Sequence, residues 1–479
     1  MAAARGVFWT GGGQALRQAI QVVASIALAR LLTPDDFGLL GMTLVFMGVA
    51  QLFADFGIGA AIVQSRQVDR IVLSSCFWAN AGAAILVSLL LALASPFAGA
   101  FYGDPRVVPL LLVLSCSLVL SGIIVVPRAT LLRDMAFAQV AKAQVVGSLA
   151  GAVAAVTMAW LGLGVWSLVM QPIVGSAITM LLVMAYAGWL PRLEFSWHRI
   201  RDLAGFIAGV LGSDLLNFAN RNADNLLVGK FLGSGQLGYY SMAYQLMLYP
   251  LSQVSSVIVK VLFPALSRMQ DDTHRLRQAY LRSISAIAFI TFPMMVGLFA
   301  VSRDFVSVVF GEKWLPMLPV LDILCWVGMM QSIGTTLGTI YLSTGRIRTA
   351  FLLTLCSTPI FILSFVIGLR WGITGVALGY AIASAALFYV GLRVAFGIVG
   401  LTFREFHRAL AKPLAASVVM LAVVLPSSHL LARATGLPAQ GRLGVLVATG
   451  AAVYGLVSML INRKQMAELI VMARTAVRA

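Results

Sequence analysis

The stretch GKFLGSGQLGYYSM (229–242) decides the fold, because it repeats ARLLTPDDFGLLGM (29–42) at a shift of 200 residues. The shift superimposes Gly38 on Gly238, and in the same register it matches Leu32 with Leu232, Met42 with Met242 and basic Arg30 with Lys230. A repeat of this kind indicates that one structural unit occurs twice in the chain.

Two further pairs of segments match in the same order, at slightly larger shifts. VFGEK (309–313) resembles FYGDP (101–105), and WGITGV (371–376) resembles WLGLGV (160–165). A single match of five or six residues has little weight, but three in the same order predict two related halves.

The composition places both halves in a membrane. Of the 479 residues, 60% are hydrophobic and only 11% are charged, and the mean hydropathy is +0.94. Apolar runs of roughly 20 residues, long enough to cross a bilayer as helices, recur along the chain. We predict an all-α polytopic membrane protein with fourteen transmembrane helices, near 10–31, 37–63, 72–95, 107–127, 141–161, 165–188, 203–231, 238–265, 280–300, 319–343, 350–369, 374–396, 411–432 and 442–461.

The repeat assigns these helices to three regions. Six helices separate the two copies, and an even number means that both copies start from the same side of the membrane. We therefore predict a six-helix half in residues 1–200, a second in 201–400, and two additional helices with a cytoplasmic tail in 401–479. The first helices of the two halves, 1 and 7, are expected in equivalent positions around a central space.

The strongly basic charge follows from this topology. The net charge is +17, and most of the 34 Lys and Arg residues fall in alternate loops. This bias fits the positive-inside rule with both termini in the cytoplasm of the cell. Attraction to anionic head groups of membrane lipids accounts for the charge, so no nucleic-acid partner is expected.

Polar side chains form stripes inside the predicted helices. The segment SDLLNFANRNADNLLVGKFLG (213–233) is unusually polar for its surroundings, and helix 1 carries a matching stripe under the 200-residue shift. Charges at the bilayer centre are costly unless they face a protein-lined cavity. The predicted cavity residues are Gln14, Arg17, Gln21, Gln51, Asp55, Asp214, Asn217, Arg221, Asp224, Tyr244 and Lys260.

A structural interpretation of the same residues stays open. Arg221 with Asp224, or Arg17 with Asp214, would form an ion pair without any ligand, and Lys260 would extend its amine to the cytoplasmic interface. If the stripes do line a cavity, guanidinium groups suit phosphate oxygens, and amides with tyrosine suit sugar hydroxyls and rings. The aspartates would balance these cations or bind a driving proton or metal cation. The pattern thus favours an anionic, hydroxyl-rich head group as ligand.

Four segments resemble the polysaccharide transporter family of the MOP superfamily, and in particular Wzx-type flippases of exopolysaccharide pathways such as colanic acid. They are LARLLTPDDFGLLGMTLVFMGVAQLFADFGIGAAIVQ (28–64), LFPALSRMQDD (262–272), FGEKW (310–314) and PVLDILCWVG (319–328). The resemblance covers essentially the whole chain.

The resemblance implies two six-helix bundles in a V-shaped arrangement, as in multidrug extruders of the superfamily, plus two extra helices. It also implies a bacterial inner-membrane location and alternating access that moves an undecaprenyl-pyrophosphate-linked oligosaccharide between leaflets. A coupling proton or sodium ion is expected for the superfamily, with the polysaccharide polymerase and export machinery as partners. The family has no universal motif from which individual site residues of this chain could be identified. The cavity prediction therefore rests on the polar stripes.

Two other functions compete with a flippase. A multidrug or cation antiporter of the same superfamily would favour acidic and aromatic residues, and Arg17 and Arg221 argue against it. A membrane polysaccharide polymerase would need a reactive cluster in a long outer loop, and the longest outer segment, 301–318, carries none. We therefore predict a transporter and not an enzyme, with neither a catalytic site nor a metal or cofactor.

Overall fold

The computed structural model describes residues 2–54, 59, 62, 69–192, 194, 196–270, 272–434 and 436–463. Within helices, the side chains of 2–8, 54, 197–217, 219, 220, 256, 257, 260, 261 and 432–434 are not described. All regular structure in the described ranges is helical, as predicted.

The α-helices follow one another with short connections. In chain order they are α1 Ala2–Leu31, α2 Pro34–Ala54, α3 Arg70–Tyr102, α4 Val107–Arg133, α5 Phe137–Trp160, α6 Val165–Ala187, α7 Trp197–Pro250, α8 Ser256–Arg268, α9 Thr273–Ala300, α10 Ser302–Val309, α11 Leu318–Ser343, α12 Ile347–Gly368, α13 Gly372–Val399, α14 Phe403–Ala434 and α15 Ala439–Ile461. A π-helical turn, Leu251–Ser255, connects α7 to α8. Every one of the fourteen predicted segments overlaps a helix, which confirms the predicted fold class.

Ten helical stretches of the described chain are long and apolar enough to cross a membrane. One of them, Ile347–Val399, contains both α12 and α13 and therefore two predicted segments. Many large apolar side chains on these helices are exposed, for example Leu93 and Ile382. Such a surface is stable against lipid tails but not against water, so the chain is a multi-pass membrane protein.

The helices group into two compact units. The N-terminal unit comprises Met1–Gly238 and the C-terminal unit Tyr239–Ala479. In the N-terminal unit α1 packs on α5, α5 on α6, α3 on α4, and α4 on α6; in the C-terminal unit α9 packs on α14 and α11, and α13 on α11 and α12. The predicted boundaries at 200 and 400 delimit sequence repeats and stay predictions.

One helix end differs from that expected from the sequence, and one helix break agrees with it. The predicted fourth helix stops at residue 127, but α4 continues through Pro127 to Arg133. Proline is tolerated inside membrane helices because neighbouring groups satisfy the freed carbonyl. Gly233, where φ is 83° and ψ is 176°, divides α7 into two arms, in the gap between the predicted seventh (203–231) and eighth (238–265) helices.

The break in α7 occupies the position that the repeat predicts. Gly233 corresponds to Thr33, which lies in the connection between α1 and α2. A β-carbon on Gly38 would overlap the backbone carbonyl of Ser234, and one on Gly238 would overlap that of Pro34. The 200-residue shift pairs Gly38 with Gly238 and Pro34 with Ser234. Each contact is therefore the repeat equivalent of the other, and both need glycine.

Charged residues surround this contact. Arg106, in the connection between α3 and α4, forms ion pairs with Asp35 and with Asp104, each with an N–O distance of 2.7 Å. Asp35 also accepts a hydrogen bond from the Ser234 hydroxyl. The hydrogen bond from the Arg106 side chain holds the pKa of Asp104 below its ordinary value. The start of α2 is thereby tied to α7 and to the α3–α4 connection.

Candidate functional site

A cavity of about 620 Å³ lies inside the N-terminal unit. Helices α1, α2, α4, α5 and α6 all contribute to its wall. The polar side chains that line it are Arg17, Gln21, Gln51, Ser121, Arg128, Gln144, Ser148, Gln171, Ser176 and Thr179, and the remainder of the wall is mostly Leu, Ile, Val, Pro and Gly. A volume of this size suits a small-molecule moiety or a ligand head group.

Two arginines supply the charge of the cavity. Arg17 is near the middle of α1, about 21 Å along the helix axis from its last residue at about 1.5 Å per residue. Arg128 is only about 8 Å from the end of α4 by the same measure. The two guanidinium groups therefore belong to different depths along their helices.

Close packing of α5 on α6 positions several of the polar groups. Gly147 and Gly151 form a G-x-x-x-G motif, and a β-carbon on Gly151 would lie 2.5 Å from the carbonyl oxygen of Gln171. Small residues at this spacing let two membrane helices approach closely. The approach brings Gln144 and Ser148 of α5 to the same wall as Gln171 of α6.

The electrostatic character of the cavity is cationic. Arg17 and Arg128 line it, whereas no aspartate or glutamate is among the lining residues in the part of the chain that the structure describes. Glutamine and hydroxyl groups add donors and acceptors without charge. Such a set of groups favours an anion with several oxygens, because a guanidinium group pairs with phosphate oxygens.

The structure brings together only some of the predicted site residues. Arg17, Gln21 and Gln51 line the cavity. Gln14 and Arg221 are exposed without being part of its wall, and Asp224 is only 2% exposed. The remaining predicted site residues of this unit, Asp55 and the side chains of Asp214 and Asn217, lie outside the described residues, as does that of Lys260 in the C-terminal unit.

Asp224 is buried on α7. One carboxylate oxygen accepts a hydrogen bond of 2.8 Å from the backbone N–H of Asn225. Its place among the cavity residues stays a prediction. Tyr244 lies in the C-terminal unit, where its ring contacts the rings of Tyr240 and Tyr380.

Sequence reasoning missed Arg128, Gln144, Ser148, Gln171 and Thr179. Arg128 follows a proline and was expected in a cytoplasmic loop, but the continuation of α4 places it in the wall. Gln144 and Ser148 are four residues apart in an apolar helix, and this spacing was an available signal of a shared face. The α5–α6 contact itself was signalled by the G-x-x-x-G motif.

The helical architecture has the fold of the MOP superfamily of membrane transporters. A solved structure of the lipid II flippase MurJ in an inward closed conformation has the same fold, with a TM-score of 0.76 and 16% identity, over 95% of this chain and 99% of that one. Residues 27–319 match the family described as polysaccharide biosynthesis protein. The chain belongs to this family.

Two relatives show the range of the family. Lipopolysaccharide biosynthesis protein WzxC of Escherichia coli (strain K12) is 30% identical over 87% of this chain and 86% of that protein. Succinoglycan biosynthesis transport protein ExoT of Rhizobium meliloti (strain 1021) is 30% identical over 67% of this chain and 65% of that protein. The match to the first extends over most of both sequences.

Proposed function

We propose that this chain is a flippase that moves undecaprenyl-pyrophosphate-linked oligosaccharide units from the cytoplasmic to the periplasmic leaflet of a bacterial inner membrane. The observation that carries the proposal is the cavity of the N-terminal unit, with two arginines and no described acidic side chain in its wall. A diphosphate pairs with both guanidinium groups. The names of the two relatives, which refer to lipopolysaccharide biosynthesis and succinoglycan transport, support a saccharide as cargo.

The depths of the two arginines suggest an order of events. With both termini in the cytoplasm, the end of α4 faces the cytoplasm, so the diphosphate meets Arg128 first and Arg17 second. Gln21, Gln51, Gln144 and Gln171 replace hydrogen bonds that the head group loses on leaving water. Pairing with the diphosphate also offsets the cost of placing the Arg17 cation near the middle of a membrane helix. Alternating access of the two halves then releases the unit on the periplasmic side.

A proton or a sodium ion supplies the driving force in this proposal. The aspartates predicted from the polar stripes, Asp55 and Asp214, are the proposed ion-binding groups, because a carboxylate takes up either ion. Released units pass to the polysaccharide polymerase and the export machinery.

Complementation of a deletion strain tests the cavity. The variants are Arg17→Gln and Arg128→Gln, and the matched control is Arg133→Gln, which removes the same charge from the same end of α4 but does not line the cavity. Loss of a charged hydrogen bond to phosphate costs roughly 1.5–3 kcal/mol, so each cavity variant should export roughly 10- to 100-fold less polysaccharide at equal protein abundance. Wild-type export by both cavity variants would refute the proposed role of the cavity.

The same strain separates the competing functions. A flippase deletion leaves lipid-linked units in the cytoplasmic leaflet, whereas loss of a polymerase leaves single units in the periplasmic leaflet. A multidrug antiporter deletion instead raises sensitivity to cationic drugs and leaves polysaccharide unchanged. We expect the first outcome, and either of the other two would replace the proposed function.

A further inference from the structure

A second cluster of polar and aromatic side chains lies entirely within the C-terminal unit. The amide nitrogen of Gln331, on α11, donates a hydrogen bond to the hydroxyl of Tyr380, on α13. The ring of Tyr380 contacts that of Tyr244, on α7, with centroids 6.0 Å apart. Three helices thus bring two tyrosines and an amide together.

The cluster has a rigid buried side and an accessible side. Tyr240, which is fully buried, stacks on Tyr244 with centroids 6.2 Å apart and an interplanar angle of 20°. Tyr380 is 7% exposed and packs on Phe361 and Phe365. Tyr244 and the amide of Gln331 are half-buried, so these two groups are the part that a ligand can reach.

Small residues leave space beside the cluster. Along α11, Thr335 and Gly338 follow Gln331 on the same helix face and are exposed. A β-carbon on Gly338 would meet nothing within 4 Å. One turn after Tyr380, the hydroxyl of Ser384 is buried and has no hydrogen-bond partner among the described residues. A buried polar atom of this kind calls for a ligand or a water molecule.

The repeat assigns the cluster to a position equivalent to the cavity. The second arm of α7 (234–250), α11 and α13 correspond to α2, α4 and α6, which line the cavity of the N-terminal unit. At the shift of 200 residues Tyr244 corresponds to Leu44, a cavity residue. The described side chains of this cluster are uncharged aromatic and amide groups, whereas the described wall of the N-terminal cavity carries two arginines.

We propose that Tyr244 and Gln331 bind a sugar ring of the cargo, and that Tyr380 positions Gln331. This inference rests on the proposed function. It adds a binding site for the oligosaccharide part of the cargo. A pyranose ring presents an apolar C–H face, which packs on an aromatic ring, and hydroxyl groups, which an amide recognises as donor and acceptor. An uncharged aromatic and amide surface suits such a ring better than it suits a diphosphate.

Binding measurements on the full-length protein in detergent micelles test the inference. The two probes are the lipid-linked repeat unit extracted from a deletion strain and sugar-free undecaprenyl diphosphate. Wild-type protein should bind the glycosylated probe more tightly. Two variants, Tyr244→Leu and Gln331→Leu, should each reduce this preference by about tenfold without changing the affinity for undecaprenyl diphosphate. Leucine is the residue at the equivalent position of the N-terminal unit, Leu44.

Two controls keep the result interpretable. Tyr389→Leu removes an exposed tyrosine elsewhere on α13 and should leave the preference unchanged. Tyr244→Phe keeps the ring and its packing, so it should retain most of the preference even if the leucine variant is unstable. Wild-type preference in both Tyr244→Leu and Gln331→Leu would overturn the inference.

The arginine variants distinguish failure of the proposed function from failure of the inference about the sugar site. Arg17→Gln and Arg128→Gln should weaken binding of both probes, because both probes carry the diphosphate. If these variants bind undecaprenyl diphosphate as wild type does, the proposed function of the cavity fails. If they lose it while the tyrosine and glutamine variants keep the sugar preference, only the inference about the sugar site fails.

Discussion

Gly38 and Gly238 allow a close contact between α2 and the second arm of α7. A β-carbon at either position would overlap a backbone carbonyl, which has no rotamer to change. We therefore predict that Gly38→Ala and Gly238→Ala each lower the free energy of unfolding by roughly 1–3 kcal/mol, the range found for overpacked interiors.

Thermal unfolding of the purified protein measures this effect. Gly235→Ala is the matched control, because Gly235 lies in the same arm of α7 and a β-carbon there would meet nothing within 4 Å. The control should melt at the wild-type temperature and the other two variants at lower temperatures. Equal melting of all four proteins would show that the contact contributes nothing to stability.

Arg106 makes a pH-dependent contribution to stability at the start of α2. Its hydrogen bond lowers the pKa of Asp104 in the folded protein, so the interaction is present above the ordinary carboxyl pKa and is lost as the pH falls through the lowered one. Arg106→Gln should therefore reduce stability at pH 7, by less than about 1 kcal/mol since the side chain is half exposed.

Thermal unfolding of wild type and Arg106→Gln at pH 7 and pH 3, in low salt, checks the predicted direction of this pH dependence. The difference between the two proteins should shrink as the pH falls below about 4. A difference that grows toward acid would contradict the assignment of Asp104 as the partner.

Individual site residues were only partly predictable from the sequence. Arg17 stands in the middle of an apolar run, where a cation signals a cavity or an ion pair. Arg128 follows Pro127 near the end of such a run, where the same residue usually marks a cytoplasmic loop. Its place in the wall depends on tertiary packing that lets α4 continue past the proline.

The contact between α5 and α6 is the element on which the shape of the cavity depends. Gly151 faces the carbonyl of Gln171, a cavity residue, so an added methyl group must move one helix away from the other. We predict that Gly151→Ala lowers polysaccharide export several-fold at equal abundance, because it displaces the amides of Gln144 and Gln171 that line the cavity.

A second glycine on a neighbouring helix provides the control for that experiment. A β-carbon on Gly82, in α3, would meet nothing within 4 Å, so Gly82→Ala adds the same helix-favouring residue without a clash. This variant should export polysaccharide as wild type does. Normal export by Gly151→Ala would mean that the α5–α6 spacing does not control the cavity.

Helices were the most predictable elements, and their ends the least. Length and hydropathy located all fourteen segments, because a membrane span needs a long apolar run whatever its neighbours are. The extension of α4 past its predicted end depends on how Pro127 is accommodated. That is a property of packing, which no local signal in the sequence reports.

At the scale of the whole molecule, the repeat accounts for most of what could be predicted. It anticipated the helix break at Gly233 and the equivalence of Gly38 and Gly238. It did not predict that the wall of the cavity comes from five helices of one unit, since that requires tertiary contacts between residues far apart in sequence. The proposed division of labour, a cationic site for the diphosphate and an aromatic site for the sugar, likewise needed the structure.

The leaflet in which lipid-linked units reside tests the central claim most directly. Spheroplasts from strains that carry wild type, no protein, Arg17→Gln with Arg128→Gln, or Arg133→Gln are treated with a membrane-impermeant periodate reagent that cleaves vicinal diols. The oxidised fraction of the lipid-linked sugar then reports the share in the outer leaflet. We predict a high fraction with wild type and Arg133→Gln, and protection without the protein or with the double variant. The same oxidised fraction in the deletion strain as in wild type would contradict the account.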